Sequence, residues 1–196
     1  MATSLTDRDR AKADRQAAIL EHAARLFAER GFAGVSLEDI GAAVGVSGPA
    51  VYRHFASKQA LLGAILVGVS DGLLAGGRRV LEADAAPRAA LESLVAFHLD
   101  FALSRPDVIR VQDRDLASLS ETDNHAVRRL QREYVDLWLG VLSLLHPSRS
   151  PDDLRVRAHA CFGLLNSTPH SSRTDGAGAT ATRTILSAMA MAALEA

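Results

Sequence analysis

Along most of the chain, apolar side chains recur three and four residues apart, and they almost never alternate with polar ones, so the pattern predicts helices and no sheet. Ile19, Ala23, Leu26 and Phe27 share one face within residues 11–30, and Gly31 follows where a left-handed residue closes a helix. Two short segments come next. Ser36 is placed to cap 37–44, Gly45, Val46 and Ser47 turn the chain, and Ser47 caps 48–55. A fourth helix opens at Ser57. Pro87, suited to a first helical position, starts a fifth with Leu91, Leu94, Phe97, His98 and Phe101 on one side, and Pro106 restarts the chain. Residues 123–146 carry Val127, Leu130, Tyr134, Leu137, Trp138, Val141, Leu142 and Leu145, a plain amphipathic helix. Ser150 and Pro151 open a helix over 152–166, residues 169–178 form a polar loop, and 179–194 are the last helix. The expected fold is all-α with about nine helices.

The chain has 196 residues, 48% apolar and 23% charged, which is ample for a buried core and a poor fit to disorder. Its single cysteine, Cys161, excludes an internal disulfide and a cysteine-built zinc site, so no metal and no cofactor are expected. Residues 1–15 mix acidic and basic side chains without an apolar export segment, and the longest apolar run, Leu61 to Val69, ends at Asp71, far short of a span. A soluble, cytoplasmic protein without a membrane partner is expected. The 22 basic and 23 acidic residues leave a net charge of -1, which on its face argues against nucleic acid.

The segment from Ser36 to Phe55 changes that picture. Two short helices joined by a glycine-containing turn make a helix-turn-helix, whose second helix fits the major groove of DNA. Gly45 lets the backbone reverse, while Ile40, Val44 and Val46 supply the small core. Together, the FAERGF end of the first helix, SLEDIGAAVGVS and the VYRHFASKQALL block resemble the TetR family of bacterial regulators over about the first third of the chain. The agreement of several fixed offsets makes this resemblance specific.

Residue by residue, the resemblance implies that Tyr52, His54 and Lys58 grip phosphates, and that Ser36 and Ser47 do likewise at helix N-termini. Arg53 is the candidate for a guanine edge, and Ala50 for apolar contact with a thymine methyl. Val51 and Phe55 are expected in the core. Gly48, Pro49 and Ala50 depart from the family, in which many members place Lys or Arg, Gly and Thr, so base reading leans on Arg53, Ala50 and DNA shape. Met1 to Lys58 hold eight basic and seven acidic residues, so attraction to DNA must come from where the charges sit. The resemblance also implies a DNA-binding head at 1–58 and a ligand-binding, dimerising body at 59–196.

In that body, Phe97, His98, Phe101, Tyr134 and Trp138 are candidates to line a cavity, with Arg110, Gln112 and Asn166 as orienting polar groups. Any single one of these is more ordinarily core, and His98 a satisfied core histidine. Small residues on the terminal helices, Ala158, Cys161, Phe162 and Leu165 on one and Ile185, Ala188, Met189 and Ala192 on the other, suggest a four-helix dimer interface. Gly68, Gly72 and Gly76 fall on one face of the fourth helix, either as a close crossing or as a soft link that passes a ligand signal to the head. The chief enzyme rival is the G-x-S-x-G at Gly68 to Gly72, which would make Ser70 a hydrolase nucleophile but lacks the strand that such an elbow needs. A DNA-free lipid carrier leaves the head unexplained. The expected function is a non-enzymatic repressor of a duplex operator, homodimeric and released by a small lipophilic or acyl-CoA-like effector.

Overall fold

The computed structural model describes residues 7–83, 86–171 and 177–196, and in them the chain is helical without a strand. Ten α-helical segments follow one another: α1 (Asp7–Arg30), α2 (Leu37–Ala43), α3 (Gly48–Tyr52), α4 (Lys58–Ala83), α5 (Pro87–Ser104), α6 (Pro106–Asp115), α7 (Glu121–Leu145), α8 (Pro151–Leu165), α9 (Thr168–Ser171) and α10 (Ala177–Glu195). Nine are longer than one turn, and α9 is a single turn inside the segment expected to be loop; residues 172–176 of that segment lie outside the described residues.

Of the serine caps expected from sequence, those of Ser36 and Ser150 form, whereas Ser47 stands at the N-cap of α3 without a side-chain bond. Gly31 and Gly45 take φ of 80° and 70°, the left-handed conformation that side chains resist. Ser120 and Ser150 accept hydrogen bonds from the backbone of Asp123 and Asp153, and Pro87, Pro106 and Pro151 each stand in a first helical turn. One boundary differs: α3 ends at Tyr52 with Arg53 as its C-cap, so Arg53 and His54 sit in the turn beyond the helix.

Two apolar cores meet along α4. The first gathers Ile19, Phe27, Ile40, Val51, Phe55, Leu61 and Leu66, and it also recruits Val108 and Val111 of α6 and Val127 of α7. The second gathers Leu74, Leu91, Leu94, Trp138, Leu142, Leu154 and Leu165. By length and composition α4 would cross a membrane, yet its apolar positions are divided between these two cores. Ser70 lies buried inside α4 and its hydroxyl donates to the Leu66 carbonyl at 2.8 Å, so it has neither the elbow nor the exposure of a nucleophile.

Gly76 sits so close to Phe97 that no Cβ would fit, whereas a Cβ at Gly68 or Gly72 meets nothing within 4 Å. The close-crossing reading therefore holds for Gly76 alone. From α6, the Arg114 guanidinium donates to the carbonyls of Phe27 and Ala28 at the C-terminal end of α1, where a cation also complements the helix dipole. Asp115 holds Arg114 from the other side, 3.1 Å away. Gln59 adds a bond to the Ser118 carbonyl, so the first helices are tied to α6 and the turn after it.

Candidate functional site

The turn between α2 and α3 is built by a close approach. A Cβ at Gly41 would lie 2.9 Å from the Val46 carbonyl oxygen, so this glycine lets α2 and the turn touch. Ile40 and Val51 fill the contact completely, and Phe55 closes it. Val51 and Phe55 are thus core, as expected from sequence. Gly41 was not singled out there; a glycine four residues before Gly45 was its only signal.

Around this frame the expected DNA contacts fall into two groups. Ser47 is exposed and makes no side-chain cap bond, Tyr52 is 53% exposed, and Arg53 is exposed beside it. Ala50 and His54 are half-buried and line a cleft of about 600 Å³ between α3 and the first turns of α1. Into that cleft α1 brings Arg8, Lys12 and Arg15 with one carboxylate, Asp9, so three basic residues of the arm line it together with Arg53. Spacing by four and three puts all three on one helical face, a signal that was present in the sequence.

The other two are committed within the fold. Ser36 caps α2 by accepting the Asp39 N–H at 3.1 Å while its own hydroxyl and amide donate to the Asp39 carboxylate at 2.7 and 2.8 Å. These bonds hold the Asp39 carboxyl below the usual carboxylate range, and its charge fills the anion position expected for a phosphate. Lys58 donates to the carbonyls of Phe32 and Val35, both at 2.8 Å, and lies over the Phe32 ring, fixing the loop between α1 and α2. Both residues position the head first.

In the body, His98, Phe101, Gln112, Tyr134 and Asn166 do come together, around a cavity of about 210 Å³ that Ser70, Gln131, His159 and Phe162 also line. His98 is buried with both ring nitrogens engaged, Nε2 against Asn166 Oδ1 at 3.0 Å and Nδ1 against the Tyr134 hydroxyl at 3.2 Å. A neutral imidazole satisfies both if Nε2–H donates and the Tyr134 O–H donates to Nδ1. Burial pushes the His98 pKa down to about 4, against a smaller opposing effect of Asn166, and burial raises that of the Tyr134 phenol.

Three of the expected pocket residues lie elsewhere. Trp138 has no exposed surface and packs behind the cavity, its ring 4.9 Å from that of Phe162. Arg110 is turned to Asp107 and the Pro169 carbonyl. Phe97 is seated on Gly76 and faces a different cleft, between α1 and the body.

The terminal helices correct one expectation more sharply. Ala158, Cys161 and Leu165 have no exposure at all within a single chain, and Phe162 faces the cavity, so none of the four is offered to a partner. Burial raises the Cys161 thiol to about 12, which leaves it protonated and inert. The exposed side of α8 is Val156, His159, Ala160 and Gly163 instead. On α10, Ile185, Ala188, Met189 and Ala192 are exposed as expected, and Val156, Ile185 and Met189 are each at least half exposed despite their apolar side chains.

Residues 19–65 match the family described as "Bacterial regulatory proteins, tetR family", and residues 84–194 match "Tetracyclin repressor-like, C-terminal domain". Among curated relatives, "HTH-type transcriptional repressor KstR2" of Rhodococcus jostii is 30% identical over 132 residues. That match covers 67% of this chain and 65% of the relative, so the chain spans just under two thirds of its length. Among solved structures, a TetR-family transcriptional regulator from Bordetella parapertussis superposes with a TM-score of 0.79 at 27% identity, over 92% of each chain. AibR, solved with isovaleryl coenzyme A and operator DNA, has the same fold, with a TM-score of 0.74 at 22% identity over 90% of this chain and 96% of its own.

Proposed function

The chain belongs to the tetR family of bacterial regulatory proteins, and on that footing we propose that it is a homodimeric, cytoplasmic repressor released from its operator by a small effector. The observation that carries the reading is the cleft that Arg8, Lys12 and Arg15 of α1 line together with Arg53, beside the exposed Tyr52 and Ser47. A chain of net charge -1 has thereby gathered positive charge on the one face that a helix-turn-helix turns to DNA. In this reading residues 1–58 are the DNA-binding head, with Arg53 on a base edge, Ala50 against a thymine methyl, and Ser47, Tyr52 and His54 on phosphates. Ser36 and Lys58 reach phosphates only through what their capping and loop contacts leave over.

Residues 59–196 are the effector-binding and dimerising body. The apolar stripe of Val156, Ile185 and Met189 supports pairing through α8 and α10, which sets two heads on half-sites about 34 to 36 Å apart or at a multiple of that spacing. The KstR2 relative's description as a repressor and AibR's isovaleryl coenzyme A support a repressor with a lipophilic or acyl-CoA-like effector. The cavity of His98, Tyr134 and Asn166 is the proposed seat of the effector's polar end. No catalysis is proposed, since Ser70 is spent on a helical carbonyl.

The test is fluorescence anisotropy on duplex DNA from the region upstream of the protein's own gene, against a scrambled duplex of equal length. Preferential binding to the upstream duplex is expected, with affinity falling steeply between about 50 and 200 mM salt. Equal, salt-insensitive binding to both would overturn the reading.

A further inference from the structure

A cleft of about 590 Å³ lies between head and body and borders the His98 cavity at Leu73 and Phe101. Leu20 and Ala24 of α1 form one wall, and Gly68 and Gly72 of α4, Phe97 and Phe101 of α5 form the other. The volume is that of a small-molecule site, and the lining is mainly apolar with Glu21, Asp100 and Arg105 at its edge.

Two features distinguish it from a mere packing fault. First, the two glycines open it: each costs a helix about 1 kcal/mol against Ala, and here neither is required by a neighbour. Gly76, on the same face one turn on, is required by Phe97, so between Gly76 and Gly72 the stripe changes from a buried packing device to the exposed lining of the cleft. Secondly, Leu73 and Phe101 line both this cleft and the smaller cavity of His98, so they are the partition between the two. Phe101 is only half-buried where it stands between the two spaces.

We propose that this cleft is the second chamber of the effector site, taking the apolar portion of an elongated amphipathic ligand whose polar end lies beyond Phe101 near Gln112 and Asn166. The proposal rests on the regulator reading above and gives it a mechanism. A ligand here lies directly against α1, so filling the cleft bears on the helix that carries Arg8, Lys12 and Arg15. The chamber discriminates by length: an effector short enough for the inner cavity alone would bind without touching the head.

The probe for the test is 11-(dansylamino)undecanoic acid, an amphipathic chain whose emission rises on leaving water. The variant is Gly68→Leu with Gly72→Leu, which fills the floor at two positions that have open space. Because leucine favours helix over glycine, the variant is expected to melt no lower than the wild type. Wild-type protein is expected to bind the probe and to lose operator affinity in its presence; the double variant is expected to bind it at least tenfold more weakly and to keep its operator affinity. Gly72→Leu alone should give an intermediate loss and serves if the double variant does not fold.

Probe affinity within twofold of wild type in the filled variants overturns the proposal, as does a wild type that does not bind the probe. If wild type binds the probe and the filled variants do not, while neither binds the upstream duplex, the chamber stands and the repressor reading fails.

Discussion

Tyr52 with His54 in the head, and Tyr134 with His98 in the body, are the same two residue types in opposite settings. The first pair stands at the end of a five-residue helix, Tyr52 half exposed and His54 at the rim of a basic cleft. The second is sealed between α5, α7 and α8, with its polar atoms bonded to each other and to Asn166. Residue type alone therefore does not mark a site. What separates the pairs is where their polar atoms are spent: inside the fold for Tyr134 and His98, and outward for Tyr52. The body pair holds the structure together at a cavity wall, whereas in the head Tyr52 presents its ring to solvent.

Substitutions on the two sides should break apart accordingly, and the largest effect belongs to the body. Trp138→Ala removes a fully buried ring from the aromatic group around His98 and is expected to destabilise the protein by about 3 to 5 kcal/mol in urea unfolding. The same change lies outside the head, so whatever folded protein remains should bind the upstream duplex as before.

Acid should act next, through the buried His98 of the body. His98 has its pKa lowered to about 4 in the folded protein, against an ordinary 6.5. As pH falls below 6.5 the unfolded chain takes up this proton first, so stability is full above that pH and is lost progressively down to about pH 4. The loss attributable to His98 is about 3 kcal/mol. Urea titrations between pH 7 and pH 4.5 should show this slope flattened in His98→Phe, which removes the titrating ring; an unchanged slope would mean that His98 is not the group responsible.

In the head, Arg53→Ala is expected to cost about 1 to 3 kcal/mol of binding to the preferred duplex, with little change on scrambled DNA. Lys12→Ala should instead weaken both duplexes alike and reduce the salt dependence by about one ion. The smallest effect sharpens the contrast most: Tyr52→Ala should shift stability by no more than about 0.5 kcal/mol, as for a half-exposed surface side chain, while still weakening DNA.

Much of the fold was legible because helix ends have their own chemistry. Gly31, Gly45, Ser150 and the three prolines at 87, 106 and 151 each mark an end that the structure places within a few residues. The head was legible because a helix-turn-helix is built from local spacing. Contacts between distant segments were not. Small residues on α8 were read as an interface, yet Ala158, Cys161 and Leu165 face the chain's own core, because a stripe of small side chains looks the same whether it meets its own helices or a partner's. Periodicity puts Trp138 on the inward side of its helix but does not say which inward residue reaches an empty space. The Arg114 hold on the end of α1 joins positions more than eighty residues apart and leaves no local trace.

The account stands or falls on the assignment of the head's outward face to DNA. Its most direct test is a paired measurement on Arg53→Ala: anisotropy on the upstream duplex, and thermal unfolding of the same preparation. A loss of operator affinity of at least fivefold with an unchanged melting temperature is expected. Wild-type affinity in the variant would contradict it.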